Sequence, residues 1–447
     1  MDLILTLLAE KIRTAGVVGA GGAGFPSHVK AAAKAKWVIA NGAECEPLLR
    51  VDQQLMIVHA AELVEGMELL AESVGAGKAV IGLKKKYQGA IDTLKTEIAR
   101  RGSRVELALL GGYYPAGDEH VLVYDVTGLQ VPEGGIPMDV SVVVNNVGTV
   151  INIARANRGI PVTHRVLTVA GEVKRPVTFS VPVGALVEDV IAAAGGPTVA
   201  EYEILDGGPI MGGFTTGQVS KKTTGLIVLP SDHKQVLYKK RPIEHDIKRA
   251  AWACDQCRTC TDYCPRYLNG HRMEPHIIMR LVGQQRADAI PPEHLAEAYL
   301  CCQCGVCGMY ACPTTISPDR VIAGLLKTMK EKQVPPTLLR KEFPVHPVRD
   351  GRKIPVSRFA ARIDVLRYDH DAPLRKEPLE VSRVKIPLQQ HVGVPCRPLV
   401  KSGDRVAVGE MIGDVPEGAL GAPIHASIAG KVEQIFEDSI FIRADPK

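Results

Sequence analysis

Two short cysteine runs constrain this chain more than any other feature of its sequence. The first, residues 254–265, has the pattern C-x2-C-x2-C-x3-C-P. The second, residues 301–313, has the same triplet spacing and a final spacer one residue longer. Three thiolates spaced in this way bind one [4Fe–4S] cluster, and the fourth, which the following proline directs away, reaches a second cluster. The two runs therefore predict a pair of clusters.

The crossed arrangement assigns each cysteine to a cluster. One cluster is predicted to bind Cys254, Cys257, Cys260 and Cys312, and the other Cys264, Cys301, Cys304 and Cys307. Cys302 is left over, and we expect it to be buried without being a ligand. Zinc fits less well, although zinc ribbons also use C-x2-C pairs. A zinc site needs only four ligands, whereas each run here supplies a closely spaced triplet and a more distant fourth cysteine. Disulfides would need an oxidising compartment, which nothing else in the sequence indicates.

Composition excludes several other functions. A chain of 447 residues has room for about three domains, and 46% hydrophobic with 23% charged residues is ordinary for a soluble protein. A net charge of +5 without a block of Lys and Arg does not favour nucleic-acid binding. The apolar start lacks a basic region and a cleavage signal, and no apolar run approaches the roughly 20 residues that span a bilayer. Cys45, Cys302 and Cys396 are far apart in sequence, which favours a reducing, cytoplasmic compartment.

Residues 1–160 alternate between helical and strand-like segments. Apolar spacing predicts helices over 26–36, 53–74 and 88–101. Short aliphatic runs predict strands over 37–40, 79–83, 105–110 and 140–145. This alternation predicts an α/β domain with a largely parallel sheet.

The remaining residues predict three further domains and a connecting segment. Residues 161–240 have a strand, strand, helix, strand order, which indicates a small β-grasp domain. Residues 241–335 form the helical domain that carries the clusters. Residues 336–385 are basic and interrupted by prolines, which predicts a linker or an extended wrapping segment. Residues 386–447 have short strands with Gly-Asp turns, which predicts a barrel-sandwich domain of the biotinyl/lipoyl type. Its hairpin over 416–430 has no carrier lysine.

A glycine-rich run over residues 17–26 contains the pattern G-x-G-x-x-G, at Gly19, Gly21 and Gly24. This pattern alone would suggest a Rossmann dinucleotide turn with Glu44 as the acid that binds the ribose. We favour a different phosphate site, because residues 3–14 have helical spacing and leave too short a first strand. Glycines let backbone N–H groups approach a phosphate, and Lys30 adds a positive charge. Since clusters carry single electrons and nicotinamides deliver hydrides, FMN is the expected cofactor.

Polar residues follow three of the predicted strands. Asn41, Glu44 and Glu46 follow the first, and Asn145, Asn146 and Thr149 follow the last. Between them lies a segment with an aromatic ring and acids, Tyr113-Tyr114-Pro-Ala-Gly117-Asp118-Glu119. Each group alone is more often a turn or a helix cap. Because open α/β sheets bind ligands at the carboxyl ends of their strands, the three groups together favour one cofactor site.

These residues resemble the FMN-binding loop and strand ends of the flavoprotein subunit of respiratory complex I. The order of domains that follows is similar to the RnfC subunit of ion-pumping ferredoxin:NAD oxidoreductases, which carries its barrel-sandwich module at the N-terminus. The fullest resemblance is to the cobalamin reductases of propanediol-utilising bacterial microcompartments. It runs through residues 17–26, 43–47, 51–56, 114–119, 208–213 and 418–428, and includes the longer second spacer and the C-terminal position of the module.

The resemblance implies a set of cofactor-binding residues. FMN contacts carry over to Gly21, Gly22, Gly24, Lys30, Asn41, Glu44, Asn145, Asn146 and Thr149, with Gly117 in the same site. NADH is expected to stack on the flavin near Phe25, Glu46, Tyr114 and Glu119. An SLBB-like β-grasp domain is also implied. No corrinoid-binding residue carries over.

The expected function is an oxidoreductase that passes electrons from NADH to FMN, then through two [4Fe–4S] clusters to a corrinoid, reducing cob(III)/cob(II)alamin. The alternative is an RnfC-like subunit that passes electrons to a ferredoxin, a flavodoxin or a glycyl-radical activase. A third hypothesis, a scaffold that docks a corrinoid adenosyltransferase, leaves the cofactor motifs unexplained. The resemblance implies that the protein is located in a bacterial microcompartment, where a corrinoid adenosyltransferase and shell proteins are candidate partners. A homo-oligomer is a further expected assembly. No nucleic-acid partner and no transmembrane segment are expected.

Overall fold

The computed structural model describes residues 7–283, 297–334 and 340–445. A parallel four-stranded sheet forms the centre of the N-terminal domain, in the order β3-β2-β1-β5. Its strands are β1 (Trp37–Gly42), β2 (Lys78–Lys84), β3 (Glu106–Leu110) and β5 (Val142–Asn146), while β4 (Tyr113–Tyr114) lies outside it. The inner strands are buried on both faces, which explains their continuous aliphatic sequence.

Helices cover both faces of this sheet. They are α1 (Leu7–Thr14), α2 (Ser27–Ala31), α3 (Val51–Val58), α4 (Ala60–Val74), α5 (Gln88–Arg101), α6 (Glu119–Thr127) and α7 (Val147–Asn157), with a 3-10 turn at Pro137–Val140. One core lies between the sheet and α4, α5 and α7, and a second between the sheet and α6. The predicted α/β architecture is confirmed, and α5 has the predicted bounds.

Two predicted helices have different bounds. The helix predicted over residues 53–74 is divided at His59, whose backbone leaves the helical region (φ −118°, ψ 31°). The His59 ring lies 2.8 Å from Glu62 and 3.2 Å from Arg155 of α7, so tertiary contacts hold the break. The apolar spacing continues through the break, and the sequence pattern therefore could not reveal it. Helix α2 ends at Ala31, five residues short of the predicted residue 36.

The glycine-rich run closes on itself. The Gly19 N–H donates to the Phe25 carbonyl at 2.9 Å, and the Gly24 N–H donates to Gly19 at 3.3 Å. Val18 and Pro26 form an antiparallel bridge. The run is therefore a hairpin-like loop that precedes the sheet, and the Rossmann interpretation is wrong, because that turn would have to connect a sheet strand to a helix.

The β-grasp domain follows as predicted. Its five-stranded sheet has the order β7-β6-β10-β8-β9, with β10 parallel to β6 and the other neighbours antiparallel. The strands are β6 (His164–Gly171), β7 (Val177–Pro182), β8 (Tyr202–Asp206), β9 (Gly213–Phe214) and β10 (Gly225–Pro230). Helix α8 (Val187–Ala193) packs on one face over a core that includes Phe179 and Val190.

The cysteine domain is helical, as predicted. Its helices are α9 (Lys234–Lys240), α10 (Ile243–Ala253), α11 (Thr259–Asp262), α12 (Pro265–Leu268), α13 (Pro275–Gly283) and α14 (Pro318–Glu331), with a π-helical turn at Val306–Ala311. The first run lies in the α10–α12 region, and the second surrounds the π-helical turn. The proline pair at residues 335–336, predicted to begin the connecting segment, lies outside the described residues.

The described part of the connecting segment is folded onto the N-terminal domain. Strand β11 (Ile354–Pro355) pairs with β4, and α15 (Val356–Arg362) follows it, between 3-10 turns at Asp350–Arg352 and Leu366–Tyr368. The Phe359 ring packs edge-on against Tyr114 with 5.0 Å between centroids. Phe359, Ile363 and Val365 are buried in a core shared with the β-grasp and cysteine domains. Of the two predicted alternatives, the described residues therefore form a segment that wraps around the other domains and not a flexible linker.

The C-terminal domain is a sandwich of two sheets. One has the order β12-β18-β17-β14 and the other β13-β15-β16. The strands are β12 (Arg383–Pro387), β13 (Arg397–Pro398), β14 (Arg405–Val406), β15 (Met411–Asp414), β16 (Ile424–His425), β17 (Gly430–Ile435) and β18 (Ser439–Ala444). The sandwich contacts the loop formed by residues 17–26, hereafter the glycine loop. There the Val392 N–H donates to the Gly24 carbonyl at 3.0 Å. Among the residues described, none of the helices combines the length and apolarity needed to cross a bilayer.

Close contact between α4 and α7 provides a test of the fold. A Cβ atom added at Gly66 of α4 would overlap the Val150 carbonyl of α7, whereas one added at Gly77 would have no heavy atom within 4 Å. We expect Gly66→Ala to lower the free energy of unfolding by about 1–3 kcal/mol, as overpacking does, and Gly77→Ala to leave it nearly unchanged. Urea unfolding of both variants measures this, and equal stabilities would contradict the packing described.

Candidate functional site

A cavity of about 380 Å³ lies at the carboxyl ends of β1 and β5, where the N-terminal, β-grasp and cysteine domains meet. This is the edge at which open α/β sheets bind ligands. Of the fourteen predicted cofactor-binding residues, eleven line it: Gly21, Phe25, Lys30, Asn41, Glu44, Glu46, Gly117, Glu119, Asn145, Asn146 and Thr149. Gly22, Gly24 and Tyr114 do not.

Gly19, Gly21 and Ala23 form one wall of the cavity. Gly22 is exposed at φ +110°, and a Cβ there would have no heavy atom within 4 Å. A Cβ at Gly24 would lie 2.6 Å from the Lys222 side chain, so Gly24 is required for packing against other domains. Of the three glycines carried over from the resemblance, only Gly21 faces the cavity.

Tyr114 is buried behind the cavity wall. Its hydroxyl donates to the Cys304 carbonyl at 2.9 Å, and its ring is held against Phe359. The ring is therefore not available to stack on a ligand in the cavity, as the resemblance had implied. Tyr114 instead joins the N-terminal domain to the second cysteine run.

A lysine and an acid face each other at the cavity wall. The Lys30 ammonium donates to the Val144 carbonyl at 2.7 Å and lies 3.5 Å from the Glu119 carboxylate. The contact with Val144 holds the positive charge at the end of β5. Lys30 is therefore placed to attract an anionic group that enters the cavity.

The amide and hydroxyl groups at the strand ends are mostly engaged with the protein. Asn41 donates to the Gly117 carbonyl at 2.9 Å. Asn146 caps α7 by accepting from the Gly148 N–H, and Thr149 accepts from the Ala20 N–H at 2.8 Å. These bonds fix the glycine loop against α7. The Asn145 amide nitrogen is buried and has no hydrogen-bond partner among the described residues.

Glu44 and Asp52 form an acidic pair in the wall. The Asp52 N–H donates to one Glu44 oxygen at 3.1 Å. Burial, together with the neighbouring Asp52 charge, raises the pKa of Glu44 to about 8, and burial raises the pKa of Asp52 to about 6. The second Glu44 oxygen is buried without a partner in the described structure. Asp52 was missed from the sequence, since an acid in the first turn of a helix is ordinary.

The residues present fit a flavin. An isoalloxazine ring carries both hydrogen-bond donors and acceptors, and the unpartnered Asn145 nitrogen and Glu44 oxygen belong to residues that line the cavity. Gly19 and Gly21 leave backbone accessible, as a phosphate requires. The buried Arg165 guanidinium supports this wall from behind, donating to the Ala20 and Thr223 carbonyls.

The other walls come from distant parts of the chain. Met211 and Thr224 belong to the β-grasp domain, and Cys302 and Cys304 to the second cysteine run. Cys45 lies between the predicted residues Glu44 and Glu46. Met211 lies in one of the segments that carry the resemblance, residues 208–213, but nothing in that segment indicates contact with the cavity. Thr224 has no local signal either, because the position of both residues depends on how the domains pack.

The cysteines surround two further small cavities. Cys254, Cys257, Cys260 and Cys312 line one, and Cys264, Cys301, Cys304 and Cys307, together with Cys302, line the other. These are the two crossed sets expected from the spacing. Within the described ranges, no three His, Cys, Asp or Glu side chains are arranged to hold a single metal ion. At least four thiols line each small cavity, which is the number of cysteine ligands that a [4Fe–4S] cluster needs.

The second cysteine cavity adjoins the large cavity. Cys302 and Cys304 each line both. The described structure thus places one cysteine site directly beside the candidate flavin site, and the site lined by Cys254 farther along the cysteine domain.

Comparisons with known proteins agree with this organisation. Four family models match in order: the Nuo51 FMN-binding domain over residues 12–155, the SLBB domain over 166–213, the 4Fe-4S dicluster domain over 253–317 and the RnfC barrel sandwich hybrid domain over 367–444. Fold and site together define a flavin- and iron–sulfur-containing oxidoreductase.

The relatives identify the family. The chain is 43% identical to cobalamin reductase PduS of Citrobacter freundii over 97% of this chain and 96% of that protein. It is also 43% identical to cobalamin reductase PduS of Salmonella typhimurium, over 99% and 97%. The chain belongs to the PduS family. A component of the Na(+)-translocating ferredoxin:NAD(+) oxidoreductase complex of Acetobacterium woodii is 36% identical over 60% of this chain and 59% of that protein.

The raised pKa of Glu44 predicts a pH-dependent stability. Between its ordinary pKa of 4.5 and about 8, the folded flavin-free protein holds a proton that the unfolded chain has lost. The wild type should therefore lose stability relative to Glu44→Gln as pH rises through this range, by at most about 1.4 kcal/mol per pH unit. Urea titrations of both proteins at about pH 5, 6.5 and 8 measure the difference. A constant difference would contradict a protonated Glu44.

Proposed function

We propose that this chain reduces a corrinoid with electrons from NADH, which enter at an FMN in the large cavity and leave through two [4Fe–4S] clusters. The observation that supports this most directly is the shared wall formed by Cys302 and Cys304. It brings a site for a two-electron cofactor into contact with a site for a one-electron cofactor. Membership of the PduS family supports the corrinoid as acceptor, because the relatives are named cobalamin reductases.

Each wall of the cavity has a role in this proposal. The backbone of Gly19 and Gly21 and the Lys30 ammonium bind the phosphate of the cofactor, and the Asn145 amide and the Glu44 carboxyl hydrogen-bond its ring. Bound FMN supplies the chemistry that accepts a hydride and releases two electrons singly. The enclosing β-grasp residues, Met211 and Thr224, limit the access of water to this reaction.

Glu44 is placed to handle the proton. A hydride carries one proton and two electrons, so one proton must leave as two electrons pass to the clusters. The unpartnered Glu44 oxygen, on a carboxyl whose pKa is about 8, can take or give a proton near neutral pH. NAD+ leaves the cavity, and the two electrons reduce two cob(III)alamins to cob(II)alamins.

The burial of the cysteines supports an order for the two clusters. Cys264, Cys304 and Cys307, in the set beside the large cavity, are buried. Cys257, in the other set, is exposed. We infer that electrons enter at the cluster bound by Cys264, Cys301, Cys304 and Cys307 and leave from the cluster bound by Cys254, Cys257, Cys260 and Cys312.

A second candidate function keeps the same path and replaces the corrinoid with a ferredoxin, a flavodoxin or a glycyl-radical activase. The likeness to the Acetobacterium woodii protein favours it, since that relative is named as part of a ferredoxin:NAD(+) oxidoreductase. The match covers only 60% of this chain, whereas the PduS relatives match at least 97%. For this reason the corrinoid is the preferred acceptor.

Iron content tests the cluster assignment. Anaerobically prepared protein should hold about eight irons per chain, four for each cluster. Cys304→Ser should lose about half of them, because it removes a ligand of one cluster, whereas Cys302→Ser should retain the full complement. Iron analysis with electron paramagnetic resonance of the reduced proteins measures both. Equal loss in the two variants would show that Cys302 is a ligand.

A flavin-free variant tests the function. Gly21→Val places a branched side chain in the cavity wall, and Gly112→Val, where a Cβ would meet no atom within 4 Å, is its control. We expect Gly21→Val to weaken flavin binding by about a thousandfold, which corresponds to about 4.1 kcal/mol, so that the variant is isolated without flavin and keeps its iron. It should lose NADH-dependent reduction of cob(III)alamin and ferredoxin alike.

The direction of electron flow follows from the same variant. After anaerobic reduction by dithionite, the clusters of flavin-free Gly21→Val should still reduce the true acceptor in a stopped-flow trace. Offering cobalamin and ferredoxin separately distinguishes the two candidate functions. If the reduced variant is inert toward both while the wild type is active, electrons leave through the flavin, and the proposed order is reversed.

A further inference from the structure

A loop of the β-grasp domain, residues 207–213 from the end of β8 to the first residue of β9, forms part of the rim of the large cavity. Met211 at its centre lines the cavity and is also 56% exposed. A side chain with both properties lies at the opening, where an incoming ligand passes. The thioether of methionine packs well against flat aromatic rings.

The loop is held from two sides by charged side chains that are half-buried. The Glu46 carboxylate, from the N-terminal domain, accepts hydrogen bonds from the N–H groups of Ile210 at 3.0 Å and Met211 at 2.6 Å. The Lys239 ammonium, from α9, donates to the carbonyls of Ile210 at 2.9 Å and Gly212 at 2.5 Å. The carboxylate accepts hydrogen bonds from the donors of the loop and the ammonium donates to its acceptors, so the loop supplies partners for both charged groups.

Two glycines allow the loop to pack closely against Glu46 and against its own backbone. A Cβ at Gly208 would overlap the Glu46 carboxylate, and one at Gly212 would overlap the Gly208 carbonyl. The conformation that places Met211 at the rim is therefore fixed by Glu46, Lys239 and the absence of side chains at these positions.

We propose that this loop selects the hydride donor, with Met211 as the specificity-determining residue that packs against the pyridine ring of a dinucleotide, and with Glu46 and Lys239 as positioning residues. The proposal rests on the proposed function. It gives Glu46 a different role from the NADH contact that the resemblance implied, because both of its carboxylate oxygens already accept hydrogen bonds from the loop.

The test compares Met211→Trp and Met211→Ala with Phe214→Trp, a control on β9 that is 37% exposed and does not line the cavity. All three should retain flavin and iron. Met211→Trp should narrow the opening and raise KM for NADH by about tenfold, a change of about 1.4 kcal/mol, with kcat for flavin reduction little changed. Met211→Ala should increase the quenching of flavin fluorescence by iodide. It should raise KM for NADH and for dihydronicotinamide mononucleotide by the same factor, because both donors carry the pyridine ring that Met211 is proposed to contact.

Glu46→Gln tests the positioning role of the carboxylate. An amide in its place leaves one loop N–H facing another donor, so this variant should be cleaved faster within residues 207–213 by a protease and should raise KM for NADH while keeping flavin. Flavin-loaded Met211 variants with KM values and iodide quenching equal to those of the Phe214→Trp control would overturn the proposal. If NADH does not reduce the flavin of the wild-type protein at all, the proposed function is overturned instead.

Discussion

The structure depends on the buried guanidinium of Arg165, which joins two of the domains that enclose the large cavity. Arg165 is 5% exposed and donates from β6 to the Ala20 carbonyl of the glycine loop and to the Thr223 carbonyl of its own domain. Burial lowers the pKa of Arg165 to about 10, and the nearby carboxylates Asp52, Asp206 and Glu44 oppose that shift. A charge removed from water in this way is tolerated only when it is fully partnered. The arrangement therefore fixes the glycine loop, the acidic pair and the β-grasp domain relative to one another.

The features that could be predicted from the sequence are those set by local chemistry. Cysteine spacing specifies ligand sets because a cluster demands a fixed geometry from a short segment, and the structure groups Cys264 with the second run and Cys312 with the first. Alternating helices and aliphatic strands specify the α/β domain because each pattern is also set within a short segment of the chain. Motif likeness also placed eleven of the fourteen predicted cofactor-binding residues in the wall of the large cavity, since strand ends meet at one edge of a parallel sheet.

The features that could not be predicted depend on packing between distant segments. A glycine pattern cannot tell that Gly21 faces the cavity while Gly24 faces Lys222, because the difference lies in neighbours contributed by other domains. The ring of Tyr114 was expected in the site and lies behind it, since Phe359, more than two hundred residues later, holds it there. Met211 lies in a segment that carries the resemblance, but its place at the cavity becomes evident only when Glu46 and Lys239 are seen to hold its loop.

The position of the C-terminal sandwich has a consequence for how this architecture can be rearranged. The Lys221 ammonium donates to the Gly16 carbonyl near the start of the described chain and to the Pro423 carbonyl near its end, each at 2.7 Å. The sandwich therefore sits beside the turn that follows α1, near the start of the N-terminal domain. When two ends of a fold are neighbours in space, a module can be joined to either end and still occupy the same place. Moving the sandwich from the C-terminal to the N-terminal side of the described domains would thus preserve its contact with the glycine loop.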